Sequence, residues 1–259
     1  MAAYPNGPLN TAVAPEISTV YYTRTSSTPL HHRLMGYAVQ ISPASVVHSK
    51  HAWSLSFGPS EIIHYTFKPL PGPVASLGKA LADRGTLYKY LNPHILGVVT
   101  ATPSNDSQAV YLLDGVTGAV LYRSTVPGNT KLVATMTENW LVYTHPLTSS
   151  ANSTLDQVRG QRIVSVELYE GSRDENTRRC DHCPFCSGCQ SSHLATFSSE
   201  LSSYSPDIKR IMALEHSFLL PYAVETMSMS STKYGISSKD LIGERILMYD
   251  LRIAHSRVG

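Results

Sequence analysis

The chain has 259 residues, 42% of them hydrophobic, which is enough to bury a core and to form a globular fold. Its 21 lysines and arginines nearly balance 19 aspartates and glutamates, giving a formal charge of +2, which excludes a general electrostatic attraction to nucleic acid or anionic lipid. Only 15% of residues are charged, while Ser, Thr, Tyr, Pro and Gly are plentiful. This balance favours strands joined by turns, and we expect an all-β fold.

The N-terminal part of the chain predicts two regions of different character. Residues 1–33 are rich in Pro, Ser, Thr and Ala with little periodicity, and we expect them to form a flexible N-terminus. From Leu34 the sequence changes to short alternating runs, so residues 34–171 are predicted to be a β-blade region. His51–Phe57, HAWSLSF, shows the pattern, because its three large apolar side chains share one face of a strand.

The segment from Thr86 to Tyr143 predicts a meander of about five antiparallel strands, with the short spacing typical of a propeller blade or a sandwich. Its central hairpin, LLDGVTGAVLY, resembles the repeat of quinoprotein-type propellers. We find one copy of this repeat, so the expected propeller is incomplete.

Four residues are candidates for a structural turn in this hairpin: Asp114, Gly115, Thr117 and Gly118. The aspartate carboxylate can accept backbone N–H groups in such a turn. Gly118 can adopt the positive φ that the connection requires, because it has no Cβ. An aspartate in this setting is far more often a backbone cap than half of an acid/base pair.

Residues 172–210 are polar, rich in serine and contain all four cysteines, and they predict a disordered insertion. The cysteines follow the pattern C-x-x-C-x-x-C-x-x-C, at Cys180, Cys183, Cys186 and Cys189. Structural zinc usually binds two C-x-x-C pairs separated by a longer loop, and this run leaves little room for the chain to fold back. They are weak candidates for metal ligands, and the alternative is adventitious or disulfide-forming thiols. Residues 211–259 predict a further β segment with a divergent C-terminus.

The sequence contains no motif that indicates catalysis. It has no G-x-S-x-G elbow, no H-E-x-x-H and no P-loop, so we assign no catalytic residue and no cofactor. Asn105 and Asn152 each begin a sequon in a predicted polar loop and are candidate glycosylation sites.

No apolar run approaches the roughly 20 residues of a transmembrane helix, and the first residues do not resemble a signal peptide. The chain as given is therefore expected to carry neither segment, and any membrane attachment would come from missing sequence or from partners.

Several stretches recur together, in this order and spacing, in a known family. They are LYKYLNP at Leu87–Pro93, LLDGVTG at Leu112–Gly118, ENWLVY at Glu138–Tyr143 and VELYEG at Val166–Gly171. A further stretch from Ser217 is similar to the family's segment ending in Thr-x-x-Gly-Ile-Thr, here Thr232, Gly235, Ile236 and Ser237. Together they resemble the C-terminal, lumenal domain of subunit 1 of the endoplasmic reticulum membrane protein complex, as a fragment or divergent form.

The resemblance implies a non-catalytic scaffold within a lumenal β-propeller on the endoplasmic reticulum membrane. The implied partners are the other subunits of the complex, which inserts transmembrane helices. The family's signal peptide and transmembrane helix are missing here, so membrane association is expected only through a missing transmembrane helix or through partners. Two alternatives remain: a metal-binding module centred on Cys180–Cys189, or a fragment of a propeller enzyme, which would need a cofactor pocket with convergent polar groups.

Overall fold

The computed structural model describes residues 21–28, 31–41, 47–58, 60–82, 85–128, 132–146, 160–171, 211–221, 223–245 and 251–254. Within these residues the chain forms sixteen strands and one short 3-10 helix. The strands of every sheet pair antiparallel. The predicted all-β class is confirmed.

The strands have the following bounds. They are β1 (Tyr21–Thr28), β2 (His31–Ile41), β3 (Val47–Ser56), β4 (Ile62–Phe67), β5 (Gly78–Ala80), β6 (Thr86–Tyr88), β7 (Ile95–Thr102), β8 (Ser107–Asp114), β9 (Val120–Pro127), β10 (Val133–Thr137), β11 (Trp140–Pro146), β12 (Gln161–Glu170), β13 (Ile211–Leu220), β14 (Val224–Met229), β15 (Asp240–Arg245) and β16 (Leu251–Ala254). The 3-10 helix η1 (Pro103–Asn105) joins β7 to β8.

The chain divides into two compact units, each assembled from two separated parts of the sequence. Unit 1 takes its described residues from Met1–Phe67 and His94–Asn129, and unit 2 takes its own from Lys68–Pro93 and Thr130–Gly259. The predicted β-blade region, 34–171, is therefore shared between the two units.

Unit 1 contains a three-stranded sheet, β1-β2-β3, and a four-stranded sheet of order β4-β7-β8-β9. Strands β7 and β8 occupy the centre of the larger sheet and are buried along nearly their whole length. This accounts for their almost continuous apolar sequences, because a strand covered on both faces does not alternate. The main apolar cluster of unit 1 contains Leu34, Trp53, Phe57, Leu96, Val98, Ala109, Tyr111 and Leu113.

Unit 2 contains the sequential four-stranded sheet β10-β11-β12-β13, the three-stranded sheet β14-β15-β16 and the short pair β5-β6. The four-stranded sheet is an up-and-down antiparallel meander, which is the form of a propeller blade. Its apolar cluster contains Trp140, Val142, Ile163, Leu220, Val224, Met229 and Leu241. Within the described part of the chain, no helix is long and apolar enough to cross a bilayer.

The structure corrects two details of the strand prediction. The prediction of a single meander over Thr86–Tyr143 is wrong, because these strands belong to three different sheets. Strand β6 pairs with β5, strands β7 to β9 lie in a sheet of unit 1, and strands β10 and β11 lie in a sheet of unit 2. Alternation and turn residues locate strands, whereas the partner of each strand is decided by packing between distant segments.

The second correction concerns where the strands begin. Strand β1 and the start of β2 lie inside the segment 1–33, and β1 pairs with β2 from Tyr21↔Ala38 to Thr28↔His31. The sequences of these two segments are largely polar and show little apolar alternation, which is the pattern used to predict strands. They form strands nevertheless, because the hydrogen bonds of a β-ladder are made by the backbone and do not require apolar side chains. The predicted insertion at 172–210 lies outside the described residues, and strands β13 to β16 lie within 211–259.

Candidate functional site

The turn between β8 and β9 contains the four residues predicted to form a structural turn. The carboxylate of Asp114 is buried and accepts hydrogen bonds from the turn itself: the Val116 N–H donates to Oδ1 at 2.9 Å, and the Thr117 hydroxyl donates to Oδ2 at 2.7 Å. The Gly118 N–H donates to the Asp114 carbonyl at 2.8 Å, and Gly118 has a φ of +75°. Both carboxylate oxygens of Asp114 are therefore engaged within the turn, Oδ1 by a backbone N–H and Oδ2 by a side-chain hydroxyl.

Two hydrogen bonds tie this turn to the rest of unit 1. The Gly115 N–H donates to the carbonyl of His94, and the indole N–H of Trp53 donates to the Gly115 carbonyl, each at 2.9 Å. The Trp53 ring also lies directly against Gly118, where an added Cβ would meet ring atoms at 2.6 to 2.8 Å. The turn therefore forms part of the packing of the unit 1 core.

Unit 2 contains a pocket of about 330 Å³ that gathers charged side chains. We call it the charged pocket and define it by its five charged lining residues, Lys79, Lys89, Glu138, Glu167 and Lys239. Aromatic and hydroxyl side chains complete the walls, among them Trp140, Tyr169, Thr137, Ser237 and Ser238.

One group of ion pairs in the charged pocket is centred on Glu138. Lys89 Nζ lies 2.8 Å from Glu138 Oε2, and Lys239 Nζ lies 2.9 Å from Oε1. Lys239 Nζ also donates to the Thr137 hydroxyl at 3.0 Å. The Glu138 side chain is 5% exposed, Lys239 7% and Lys89 13%, so these charges are largely withdrawn from water and depend on one another. Glu138 has a φ of +48°, an uncommon conformation for a residue with a Cβ.

The second group is centred on Glu167. Lys79 Nζ lies 2.9 Å from Glu167 Oε2, and the Tyr169 hydroxyl donates to the same oxygen at 2.6 Å. Burial raises the pKa of the Tyr169 hydroxyl, and the hydrogen bond to Glu167 raises it further, so the phenol keeps its proton at neutral pH and acts as a donor. Tyr169 is therefore suited to hold Glu167 in place.

Backbone hydrogen bonds bring the segments of the pocket together. The Tyr90 N–H donates to the Leu168 carbonyl at 3.0 Å, and Lys89 forms an isolated antiparallel bridge with Tyr169. Asn139 and Leu168 exchange two bonds: the Leu168 N–H donates to the Asn139 carbonyl at 2.8 Å, and Asn139 Nδ2 donates to the Leu168 carbonyl at 2.7 Å. These bonds fix the segment 85–93 and the β10–β11 turn against β12.

The charged pocket unites stretches that the sequence analysis selected as landmarks of a family. Lys89 lies in LYKYLNP, Glu138 in ENWLVY and Glu167 in VELYEG, while Ser237 ends the later, more loosely similar stretch. Sequence reasoning identified the stretches but assigned no site to them. The sequence signal that could have indicated the site is a charged residue inside or beside an otherwise apolar strand sequence. Burying such a charge costs free energy unless it is paired with an opposite charge.

The remaining predicted site residues fall in other places. Asn105 is exposed at the end of η1. Asn152 and the four cysteines, Cys180, Cys183, Cys186 and Cys189, lie outside the described residues. In the part of the chain that the structure covers, no group of three or more His, Cys, Asp or Glu side chains is arranged to hold a metal ion.

Comparison with known proteins identifies the family. The profile described as "ER membrane protein complex subunit 1, second beta-propeller" matches residues 2–246. The chain is 29% identical over 194 residues to ER membrane protein complex subunit 1 of Schizosaccharomyces pombe, covering 73% of this chain and 19% of that protein. It is 29% identical to the protein of the same name from Xenopus laevis and 30% identical to that from Gallus gallus, each over 176 residues, which are 65% of this chain and 15% of the relative.

The chain thus spans 19% or less of the length of these curated relatives. The family expected from the four sequence stretches is confirmed, and the antiparallel sheets of both units agree with its description as a propeller. The chain belongs to the family of ER membrane protein complex subunit 1, and matches the second β-propeller of that family.

Proposed function

We propose that this chain is a non-catalytic scaffold part of the ER membrane protein complex, on the lumenal side of the endoplasmic reticulum membrane, and that the complex inserts transmembrane helices. The observation that carries the proposal is the family match over residues 2–246. The similar proteins from Schizosaccharomyces pombe, Xenopus laevis and Gallus gallus are all named as subunit 1 of that complex. The partners that we propose are its other subunits.

The arrangement of charged side chains supports a structural role. Both oxygens of Asp114 are engaged by its own turn, and the carboxylates of Glu138 and Glu167 are paired with lysines. A catalytic acid or base needs access to a substrate proton at hydrogen-bond distance. Carboxylates that are held by neighbouring groups fit a scaffold better than an enzyme.

The outer strand of the unit 2 sheet offers a surface that suits contact with another protein. Strand β13 has β12 as its one partner among the described strands. Near its end Phe218 is 49% exposed and Leu219 is 66% exposed. The outer strand of a sheet, with apolar side chains exposed on it, is a common place for association.

Affinity purification tests the proposed membership of the complex. The gene is tagged at its own locus, membranes are extracted with a mild detergent, and proteins that co-purify are identified by mass spectrometry. We expect the other subunits of the complex at near-equal amounts. The same tag on an unrelated protein of the endoplasmic reticulum is the control, and recovery of no other subunit above that control would remove the proposal.

Glycosylation of Asn105 tests the lumenal location. The side chain is exposed on η1, and Asn105-Asp106-Ser107 forms a sequon, so the site is accessible to the lumenal enzymes that modify such loops. We expect glycosidase treatment to increase the gel mobility of the protein, and we expect this increase to be smaller by one glycan in Asn105→Gln. Ser107→Thr preserves the sequon and is the matched control. An unmodified Asn105 in the native protein would count against the lumenal location. Asn152 is proposed as a second acceptor.

A further inference from the structure

One face of the sheet β1-β2-β3 in unit 1 is turned away from the apolar core. The other face contains Leu34 and Trp53, which belong to the apolar cluster of this unit. Side chains alternate between the two faces of a strand, so the residues next to Leu34 in sequence lie on the side opposite the core. We call this side the outer face and define it by six residues that share it: Tyr22, Arg24, Arg33, Met35, Tyr37 and His51.

Three aromatic rings form a row across the outer face. The register pairs Tyr22 with Tyr37 and Tyr37 with His51. The rings of Tyr22 and Tyr37 are stacked, with centroids 5.2 Å apart and planes at 12°, and the His51 ring meets that of Tyr37 edge-on, at 5.5 Å and 81°. The Tyr37 hydroxyl donates to the Met35 sulfur at 3.7 Å. Both tyrosines are half-buried and His51 is exposed, so the row is held by its own contacts and remains open to solvent.

Two exposed arginines follow this row along the strands. Arg24 is opposite Met35 in the register, one row beyond the tyrosine pair. Arg33 is opposite Ser26 in the next row, which makes the two arginines diagonal neighbours, roughly 7–8 Å apart. Residues 17–60 contain no aspartate or glutamate, so the three strands offer neither arginine a carboxylate. Neither arginine forms an ion pair within the part of the chain that the structure describes.

This combination of side chains is typical of a protein-binding surface. Tyrosine, methionine and arginine are enriched in protein–protein interfaces relative to the rest of a protein surface, and tyrosine and arginine are common among the residues that contribute most to binding. The guanidinium group of arginine binds a carboxylate through two parallel hydrogen bonds. The outer face is therefore suited to a partner that carries carboxylates.

We propose that the outer face binds an extended acidic segment of another protein, in which an aromatic residue and two carboxylates occupy alternate positions. Side chains on one face of an extended chain follow one another at about 6.6 Å, which is also the spacing of the rows on the sheet. The aromatic residue lies against Tyr22 and Tyr37, the first carboxylate meets Arg24 and the second meets Arg33. A lipid headgroup has no such repeat, so a peptide fits the rows better than a membrane surface does.

Binding is measured by NMR on the purified chain, with the guanidinium Nε–H resonances of Arg24 and Arg33 as probes. Arg162 is exposed on β12 in unit 2 and is the internal control. The peptide acetyl-Phe-Ser-Glu-Ser-Glu-amide has the proposed spacing. We expect it to shift both probes saturably, while the Arg162 resonance stays unchanged.

Two further peptides separate spacing from charge. Acetyl-Ser-Ser-Phe-Glu-Glu-amide has the same composition, but its neighbouring glutamates project to opposite faces of an extended chain. We expect its Kd to be higher on the order of tenfold, because one arginine loses its carboxylate. Acetyl-Phe-Ser-Gln-Ser-Gln-amide has no carboxylate, and we expect no saturable shift with it.

Two variants test the arginines one at a time. Arg24→Gln and Arg33→Gln should each raise the Kd of the spaced peptide on the order of tenfold, and in each variant the remaining arginine reports the binding. Lys50→Gln is the matched control, because it removes an exposed positive charge from the same sheet. Lys50 precedes His51 and is opposite Ala38, so it lies on the core-facing side of β3, and its loss should leave the Kd unchanged.

Absence of a saturable shift with the spaced peptide, equal affinity for the two acidic peptides, or an equal rise of the Kd in Lys50→Gln would overturn the proposal. A stronger response of Arg24 and Arg33 to phosphatidylserine vesicles than to the spaced peptide would identify a membrane as the occupant, and would also overturn it. The inference goes beyond the assembly role proposed above. Co-purification of the complex is measured independently, so failure of peptide binding leaves that role in place.

Discussion

Glu138→Gln is expected to lower the free energy of unfolding of unit 2 by about 3–5 kcal/mol, because it removes the carboxylate that neutralises two nearly buried ammonium groups. Lys89 and Lys239 both lie within 2.9 Å of Glu138, and glutamine supplies no charge to either lysine. The loss is measured by urea unfolding followed through tryptophan fluorescence. The chain has two tryptophans, and in a Trp53→Phe background Trp140 reports on unit 2.

Glu225→Gln is the matched control for this measurement, since it makes the same change at an exposed position of β14. Its effect should stay within about 0.5 kcal/mol. If Glu138→Gln costs no more than this control, the two lysines do not depend on Glu138 and the description of the pocket as an ion-pair network is wrong.

Gly118→Val is expected to lower the free energy of unfolding of unit 1 by about 2–4 kcal/mol, because strain at positive φ and overpacking against a ring both add to its cost. Gly118 has a φ of +75°, and a Cβ there would lie 2.6 Å from an atom of the Trp53 ring. The measurement uses Trp53 fluorescence in a Trp140→Phe background during urea unfolding.

Gly58→Val provides the control for the turn, because it makes the same change in the same unit at a place with room. The nearest atom to a Cβ at Gly58 belongs to Glu61 and lies 3.6 Å away. We expect a clearly smaller loss of stability for Gly58→Val than for Gly118→Val. Equal losses would show that the cost reflects a β-branched side chain in a loop, and that neither the dihedral of Gly118 nor the Trp53 contact matters.

The strands were largely predictable because their signals are local. Apolar alternation and turn residues mark β3, β8 and β9 within a few residues of sequence. The hairpin turn is equally local, since the partners of the Asp114 carboxylate are Val116 and Thr117. Strand β1 was only partly predictable, because the run Ile17–Tyr22 is a strand candidate that reaches its first two residues, whereas the rest of its sequence, YYTRTSST, has no apolar face.

Strand partners were not predictable, because they depend on distant segments. Strand β4 pairs with β7 although β5 and β6 lie between them in sequence, and no pattern within β4 specifies that choice. The charged pocket was not predictable for the same reason, because it also depends on contacts between distant segments. Its ion pairs, Lys89 with Glu138 and Lys79 with Glu167, join residues that are distant in sequence, and a backbone bridge between Lys89 and Tyr169 holds these segments together. A long-range arrangement of this kind leaves no trace in local periodicity.

The interleaving of the two units along the sequence has a consequence for synthesis on the ribosome. When translation has reached Asn129, every described strand of unit 1 has been made, while unit 2 consists only of the segment Lys68–Pro93. Unit 1 can close early, but that segment must wait for β12, which pairs with it through Lys89 and Tyr169. During that interval the nascent chain carries a piece of unfinished core, including the normally buried Leu87 and Tyr90, and this is the stage at which a chaperone would have most to protect.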